Sequence, residues 1–231
     1  KDWHADNSAE KAALERARNI TPQEAVTLVN VLDIQSVYDI RGAREVAVNP
    51  EPALPGVRML AVEPRDGRKK RDAHSRLVHG VIGEYGAPEQ RMCDNYRRYA
   101  SDYPLIGTVL RSIAAQGGPA LVHCKNGKDR TGVLCACALR IAGYSHDYIV
   151  ADYLTTNAIN AQAIAREAAD LSQGMTAEEH AILMSFLEAR ESYLEAFFDE
   201  ADKRYGSFEA YVLRGLKLTP EQCKRLREML G

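Results

Sequence analysis

An α/β fold, a sheet domain carrying a helical sub-domain, is predicted by three observations on this 231-residue chain. Short β-branched and aromatic runs alternate with helical patterns as far as Ser145. From Ser145 onward the pattern is helical, with no strand signal. Between 120 and 143 a buried strand runs through a short polar loop straight into a helix that is apolar nearly all round. With 45% hydrophobic and 27% charged residues the chain can bury the core of one domain over 1–231. A net charge of −2 argues against a wholesale nucleic-acid binder. No apolar run approaches the roughly 20 residues that span a bilayer. The first residue is Lys1 rather than Met, so the chain is expected to be trimmed or processed, with any export signal lying outside it. Neither an internal repeat nor a low-complexity segment is found.

Three helix starts share one device. Thr21-Pro22-Gln23-Glu24, Thr219-Pro220-Glu221-Gln222 and Thr176 with Glu179 each form a capping box, two of them with proline at the first helical position. After the first of these helices, SVYDI (36–40) reads as a strand, and VRMLAV (57–62) as a second. The segment 64–76, PRDGRKKRDAHSR, carries six Arg or Lys against two Asp. It reads either as a solvated connection or as a site for an anionic substrate or membrane surface. Pro104 opens a helix whose residues Leu105, Ile106, Val109, Leu110 and Ile113 share one face, with Asp102 expected to cap it and Gly117-Gly118-Pro119 ending it. ALVH (120–123) is the buried strand, and the following helix ends at Gly143 as a C-cap. The five cysteines, Cys93, Cys124, Cys135, Cys137 and Cys223, show no metal spacing, and neither a metal nor a cofactor is expected. Cys135 and Cys137 read as core residues.

The loop from Cys124 to Arg130 carries the chemistry. A loop joining the C-terminal end of a strand to a helix N-terminus is where open α/β sheets bind ligands. Unpaired amides and the positive end of the helix dipole suit a phosphate there. Dipole, amides and Arg130 all favour the thiolate of Cys124, a nucleophile in that form. Arg130 offers a planar fork for two phosphate oxygens, and Gly127 lets the backbone turn. Thr131 can donate to the thiolate as it leaves. His123 orients the loop from the opposite face of the strand. The set His-Cys-x5-Arg-Thr-Gly, placed after a strand and before a helix, points to a cysteine that attacks phosphorus rather than to a buried thiol beside a basic turn.

HCKNGKDRTG resembles the signature of cysteine-dependent phosphatases, and its Gly127-Lys128-Asp129-Arg130-Thr131-Gly132 portion resembles the bacterial branch of atypical tyrosine and lipid phosphatases. YDIRGAREV, DYLTTN and YGSFEAYVLRGLKLTPEQCKRLREML are similar to further segments of that family, in the same order, from about residue 36. The resemblance implies a protein-tyrosine-phosphatase-like, mostly parallel central sheet flanked by helices. It implies that the helical stretch from about 155 to 205 acts as a lid-like insertion, and that the protein is a soluble one from a bacterium, cytoplasmic or secreted. Cys124 is then the nucleophile, Arg130 the phosphate clamp and Lys128 an added cation facing the substrate, with Lys125, Asn126, Gly127, Thr131 and Gly132 completing the binding loop. Lys125 and Lys128 together resemble the HCKxGK loop of phosphoinositide phosphatases, although Lys125 also reads as a surface lysine. The family's opening Asn-Phe-Arg-Asp-Leu-Gly-like strand has no match in residues 1–20.

This branch lacks the Trp-Pro-Asp loop that supplies a general acid elsewhere, and the chain's one tryptophan, Trp3, is followed by His4. Asp129, inside the loop, is the nearest carboxyl to the reacting phosphate and the first candidate for that proton. Its alternative is an outward-facing buttress of the loop. Asp39 is the second candidate, although the set Asp39, Arg41 and Glu45 reads better as a structural network. The expected activity is hydrolysis of phosphotyrosine, phosphoserine or phosphothreonine, or phosphoinositides, with a phosphorylated protein or lipid as partner. The competing reading is a catalytically weak phosphate- or phosphoinositide-binding module.

Overall fold

The structure, a computed structural model, describes residues 27–48, 50–51, 53–62 and 89–231. The capping box at Thr21 and the basic segment 64–76 lie outside the described residues. Three strands, β1 (Ser36–Asp39), β2 (Arg58–Ala61) and β3 (Ala120–His123), form a parallel sheet in the order β2-β1-β3. The register pairs Asp39 with Ala61 on one side and with His123 on the other, so all three strands end on one line. The central strand β1 is buried throughout, as its Val and Tyr require, whereas edge strand β2 is mostly exposed. At that common end the Ile40 amide donates to the His123 carbonyl at 3.0 Å, which fixes the root of the loop that follows β3.

Helix α1 (Ala43–Val48) follows β1, and α2 (Gln90–Ser101) and α3 (Leu105–Gln116) precede β3. Helix α2 buries Met92, Tyr96 and Ala100, a four-residue spacing diluted in sequence by the polar residues around it. Asp102 does not cap α3. It closes the C-terminal end of α2 through its own amide, bonded to the Arg98 carbonyl, while α3 starts after Pro104 with no side-chain cap. Helix α4 (Asp129–Ala142) is buried nearly all round. It ends at Gly143, which takes a left-handed φ of 97° so that the amides of Gly143 and Tyr144 reach back to the carbonyls of Arg140 and Leu139. At Gly132 a Cβ would sit 2.8 Å from the Tyr153 ring, so glycine is what lets the next helix cross α4 this closely.

The remainder is helical: α5 (His146–Ile159), α6 (Ala161–Leu171), α7 (Ala177–Leu187), α8 (Glu191–Tyr205), a helical corner over 208–215 and α9 (Pro220–Leu230). The expected capping boxes at Thr176 and Thr219 are both formed. The stretch 155–205 divides into two parts. Helices α6 and α7 share a small core of Ala168, Ile182, Leu183 and Leu187. Helix α8 instead belongs to the principal core, burying Tyr193, Leu194, Phe197 and Phe198 against α2 and its neighbours. Arg140 locks α4 to this core, its guanidinium lying 4.6 Å from the Phe198 ring centre and 4.5 Å from that of Phe208. Among the described residues, no helix is long and apolar enough to cross a membrane.

Candidate active site

Strand β3 delivers Cys124 to the aligned strand ends, where it is buried to 7% exposure beneath the start of α4. The loop turns at Gly127, whose φ of 63° is a left-handed conformation that suits glycine. The first amides of α4 have no partners within the helix, and the positive end of its dipole is directed to the same place. Residues 125, 126 and 127 therefore supply the turn, and 130, 131 and 132 the first helical turn above the thiol.

Arg130 is held by a partner far away in sequence. Its two terminal nitrogens donate to the two carboxylate oxygens of Glu45 at 2.6 and 2.8 Å, and one of them reaches the Ile40 carbonyl at 3.3 Å. Burial alone would raise the Glu45 carboxyl, but the Arg130 hydrogen bonds and charge carry it down to about 2, helped by the Gly42 amide and the charge of Lys125. Burial alone would lower the Arg130 guanidinium; the Glu45 bonds and the charges of Cys124 and Glu45 more than offset it and raise it further. Glu45 thus fixes the direction of the fork. Because the folded value lies below the ordinary 4.5, the contribution of Glu45 to stability is complete above about pH 4.5 and disappears as pH falls toward 2. Chemical denaturation across that window should show a stability loss that Glu45→Gln flattens; an unchanged acid limb in the variant would remove Glu45 from this role.

Asp39, Arg41 and Glu45 do not form one set. Arg41 takes both oxygens of Asp39, through Nε at 2.8 Å and a terminal nitrogen at 2.7 Å, and also reaches Glu51 at 2.8 Å. Burial would raise the Asp39 carboxyl, yet the Arg41 hydrogen bonds and the nearby charges leave it below its ordinary value. Asp39 is therefore committed to pinning the strand end, which is the structural role the sequence favours. His123 stands behind the loop, its Nδ1 3.3 Å from the Cys124 carbonyl and its Nε2 3.3 Å from Glu51 and 3.9 Å from Asp39. Asp39, Glu51 and His123 offer three donor atoms within 4.8 Å of one another, a set that a divalent cation could use. Arg41 already provides the positive charge there.

One loop residue, Lys128, sits differently from expectation. Lys128 is buried to 3% exposure, and its ammonium donates to the carbonyls of Phe186 at 2.6 Å and Glu188 at 3.1 Å, at the junction of α7 and α8. It is spent on that junction instead of facing the loop, because the last carbonyls of α7 attract a cation. Asn126 is tied by its carbonyl to Asn160 at 3.3 Å. Asp129 is half-buried, and its Oδ1 accepts from the Tyr96 hydroxyl at 2.8 Å and lies 3.4 Å from the Lys128 ammonium. The Thr131 hydroxyl is buried with no partner among the described residues, as a group reserved for the thiol or a ligand would be.

Comparison with known proteins agrees with this geometry. Residues 14–231 match the model of the tyrosine phosphatase family. The triple specificity protein phosphatase PtpB of Mycobacterium tuberculosis is 31% identical over 229 residues, covering 86% of this chain and 83% of its own. A protein of Cupriavidus necator assigned provisionally as a tyrosine-protein phosphatase is 37% identical over 115 residues, 48% of this chain and 40% of its own. A parallel sheet that delivers a cysteine to a glycine turn under a helix, and a match along nearly the whole chain, place this protein in the tyrosine phosphatase family, and it is a phosphatase.

Proposed function

We propose that the protein hydrolyses phosphate monoesters through a cysteinyl-phosphate intermediate. The observation that carries this reading is Cys124, seated beneath the α4 N-terminus beside an arginine fork already aimed by Glu45. In the first step the Cys124 thiolate forms a sulfur–phosphorus bond as the ester oxygen–phosphorus bond breaks, and the leaving oxygen takes a proton. In the second, water attacks phosphorus and gives a proton back to the carboxylate that protonated the leaving oxygen, the sulfur–phosphorus bond breaks, and inorganic phosphate and the thiolate are released. Arg130 and the helix amides stay in register with the equatorial oxygens through both steps.

Asp129 is the proposed proton donor. With Oδ1 occupied by Tyr96 and Lys128, the transferable proton belongs on Oδ2. Substrates are read as phosphotyrosine, phosphoserine or phosphothreonine and phosphoinositides, in keeping with the triple specificity named for the mycobacterial relative. Lys125 is read as the loop cation that meets additional phosphates, and the basic segment 64–76 as the second, with anionic membrane as a peripheral partner. Helices α6 and α7, which have their own small core, are the part of 155–205 suited to cover the site.

The test is a panel of phosphotyrosine and phosphoserine peptides and phosphoinositides, assayed for released phosphate with Cys124→Ser as the control. Turnover of at least one class that vanishes in the variant is expected. Binding of every class with turnover of none would instead favour the binding-module reading.

A further inference from the structure

Two buried hydroxyls and the half-buried carboxyl of Asp129 form a line at the start of α4. Tyr96 on α2 and Tyr153 on α5 have their hydroxyl oxygens 2.7 Å apart, and the Tyr96 hydroxyl donates to Asp129 Oδ1 at 2.8 Å. Each phenol has one proton to give. The Tyr96 proton goes to Asp129, so the bond between the phenols must run from Tyr153 to Tyr96. Burial raises both phenols well above their ordinary value, so both remain donors throughout the working pH range. The line is directional: Tyr153 to Tyr96 to Asp129.

The two rings are held independently of that line. Tyr96 is fully buried, with ring centres 5.5 Å from Tyr99 and 5.6 Å from Tyr193, and Tyr153 packs on the face of Gly132. A phenylalanine at either position would keep the packing and lose only the hydroxyl. Packing alone requires no hydroxyl at either place, and buried hydroxyls such as these are costly unless bonded, Tyr153 to Tyr96 and Tyr96 to Asp129.

We propose that Tyr96, backed by Tyr153, is a positioning residue for general-acid catalysis: it holds Oδ1 of Asp129 so that the proton on Oδ2 faces the leaving oxygen. This rests on the reading of Asp129 as the proton donor. A carboxylic acid free to rotate about its side-chain torsions presents that proton only part of the time, whereas one anchored at Oδ1 presents it continuously. The anchor changes no bond made to the substrate, so it acts on the chemical step alone and only where the leaving group needs a proton.

The experiment measures kcat for a series of aryl and alkyl phosphates of rising leaving-group pKa in the wild type, Tyr96→Phe, Asp129→Asn and the double variant, with thermal melting as a check of folding. In Asp129→Asn, alkyl phosphates should lose on the order of 10²-fold and nitrophenyl phosphate only a few-fold. Tyr96→Phe should show the same tilt at about 10-fold for alkyl phosphates, with KM little changed. In the double variant the tyrosine change should add nothing to the loss from Asp129→Asn. If Tyr96→Phe leaves the alkyl-to-aryl ratio at the wild-type value while Asp129→Asn tilts it, the positioning role is overturned and the acid stands. A loss in Asp129→Asn that is uniform across the series overturns the acid reading, and the positioning role with it. Should Tyr96→Phe melt too low to assay, Tyr153→Phe removes the donor one link further back, and its weaker tilt decides the matter in the same way.

Discussion

Cys124→Ser should lower hydrolysis of an aryl phosphate by at least about 10⁴-fold while inorganic phosphate still binds. The two effects separate because they come from different atoms. Bond formation to phosphorus needs the sulfur, and a serine hydroxyl in the same place is neither ionised nor a comparable nucleophile at neutral pH. In the proposed site the anion, by contrast, is held by the α4 N-terminus, the glycine turn and Arg130, none of which the substitution replaces. The proposed mechanism uses the sulfur as a thiolate, and on that reading a neutral hydroxyl removes a like charge next to the phosphate, so affinity should be kept or improved. Calorimetric titration with phosphate beside a single-turnover assay reads both quantities. Near wild-type hydrolysis in the variant would rule out the covalent route; loss of binding along with turnover would show that the thiol shapes the cradle itself.

Arg130→Lys should damage turnover almost as severely as Arg130→Ala, each by roughly 10² to 10⁴-fold. Two separate geometric demands fail together. On the substrate side, an ammonium cannot span two equatorial oxygens. On the protein side, Glu45 meets Arg130 through both its oxygens, and a lysine would meet at most one, so the two-point hold that fixes the direction of the charge is lost. The lysine variant keeps the charge and loses the aim, which makes it the sharper test. Steady-state kcat/KM for the two variants gives the comparison, and wild-type activity in Arg130→Lys would show that only charge matters at this position.

Much of the frame was legible because it is written in local signals. The strands at 36–40, 57–62 and 120–123, the C-cap at Gly143 and the boxes at Thr176 and Thr219 all depend on neighbours within a few residues, and the structure has each of them. The identity of the partners was not legible. Glu45 and Arg130 lie 85 residues apart, and nothing near either one announces the other. Lys128 shows the same limit from inside a motif: a lysine in a glycine turn looks alike whether it faces a ligand or reaches back to carbonyls 58 and 60 residues away. Nothing in the sequence around Tyr96 singles it out, and only the crossing of α2, α4 and α5 reveals that its hydroxyl has an address. Asp102 failed for a different reason, since an acidic residue between two helices fits the end of one as well as the start of the next.

The position of Lys128 has a thermodynamic corollary. One ammonium is bonded to the α7 and α8 junction, which Asn157 also grips by exchanging two hydrogen bonds with the Ala189 backbone, and the same residue is the last of the glycine turn before α4. Turn and junction therefore share a single buried cation, and neither can shift without altering its bonds. Linkage is reciprocal: whatever free energy the junction contributes to holding an anion in the turn, the anion returns in full to the junction. Occupancy of the turn by an anion and the stability of the α7 and α8 junction are, through this one side chain, two readings of the same equilibrium.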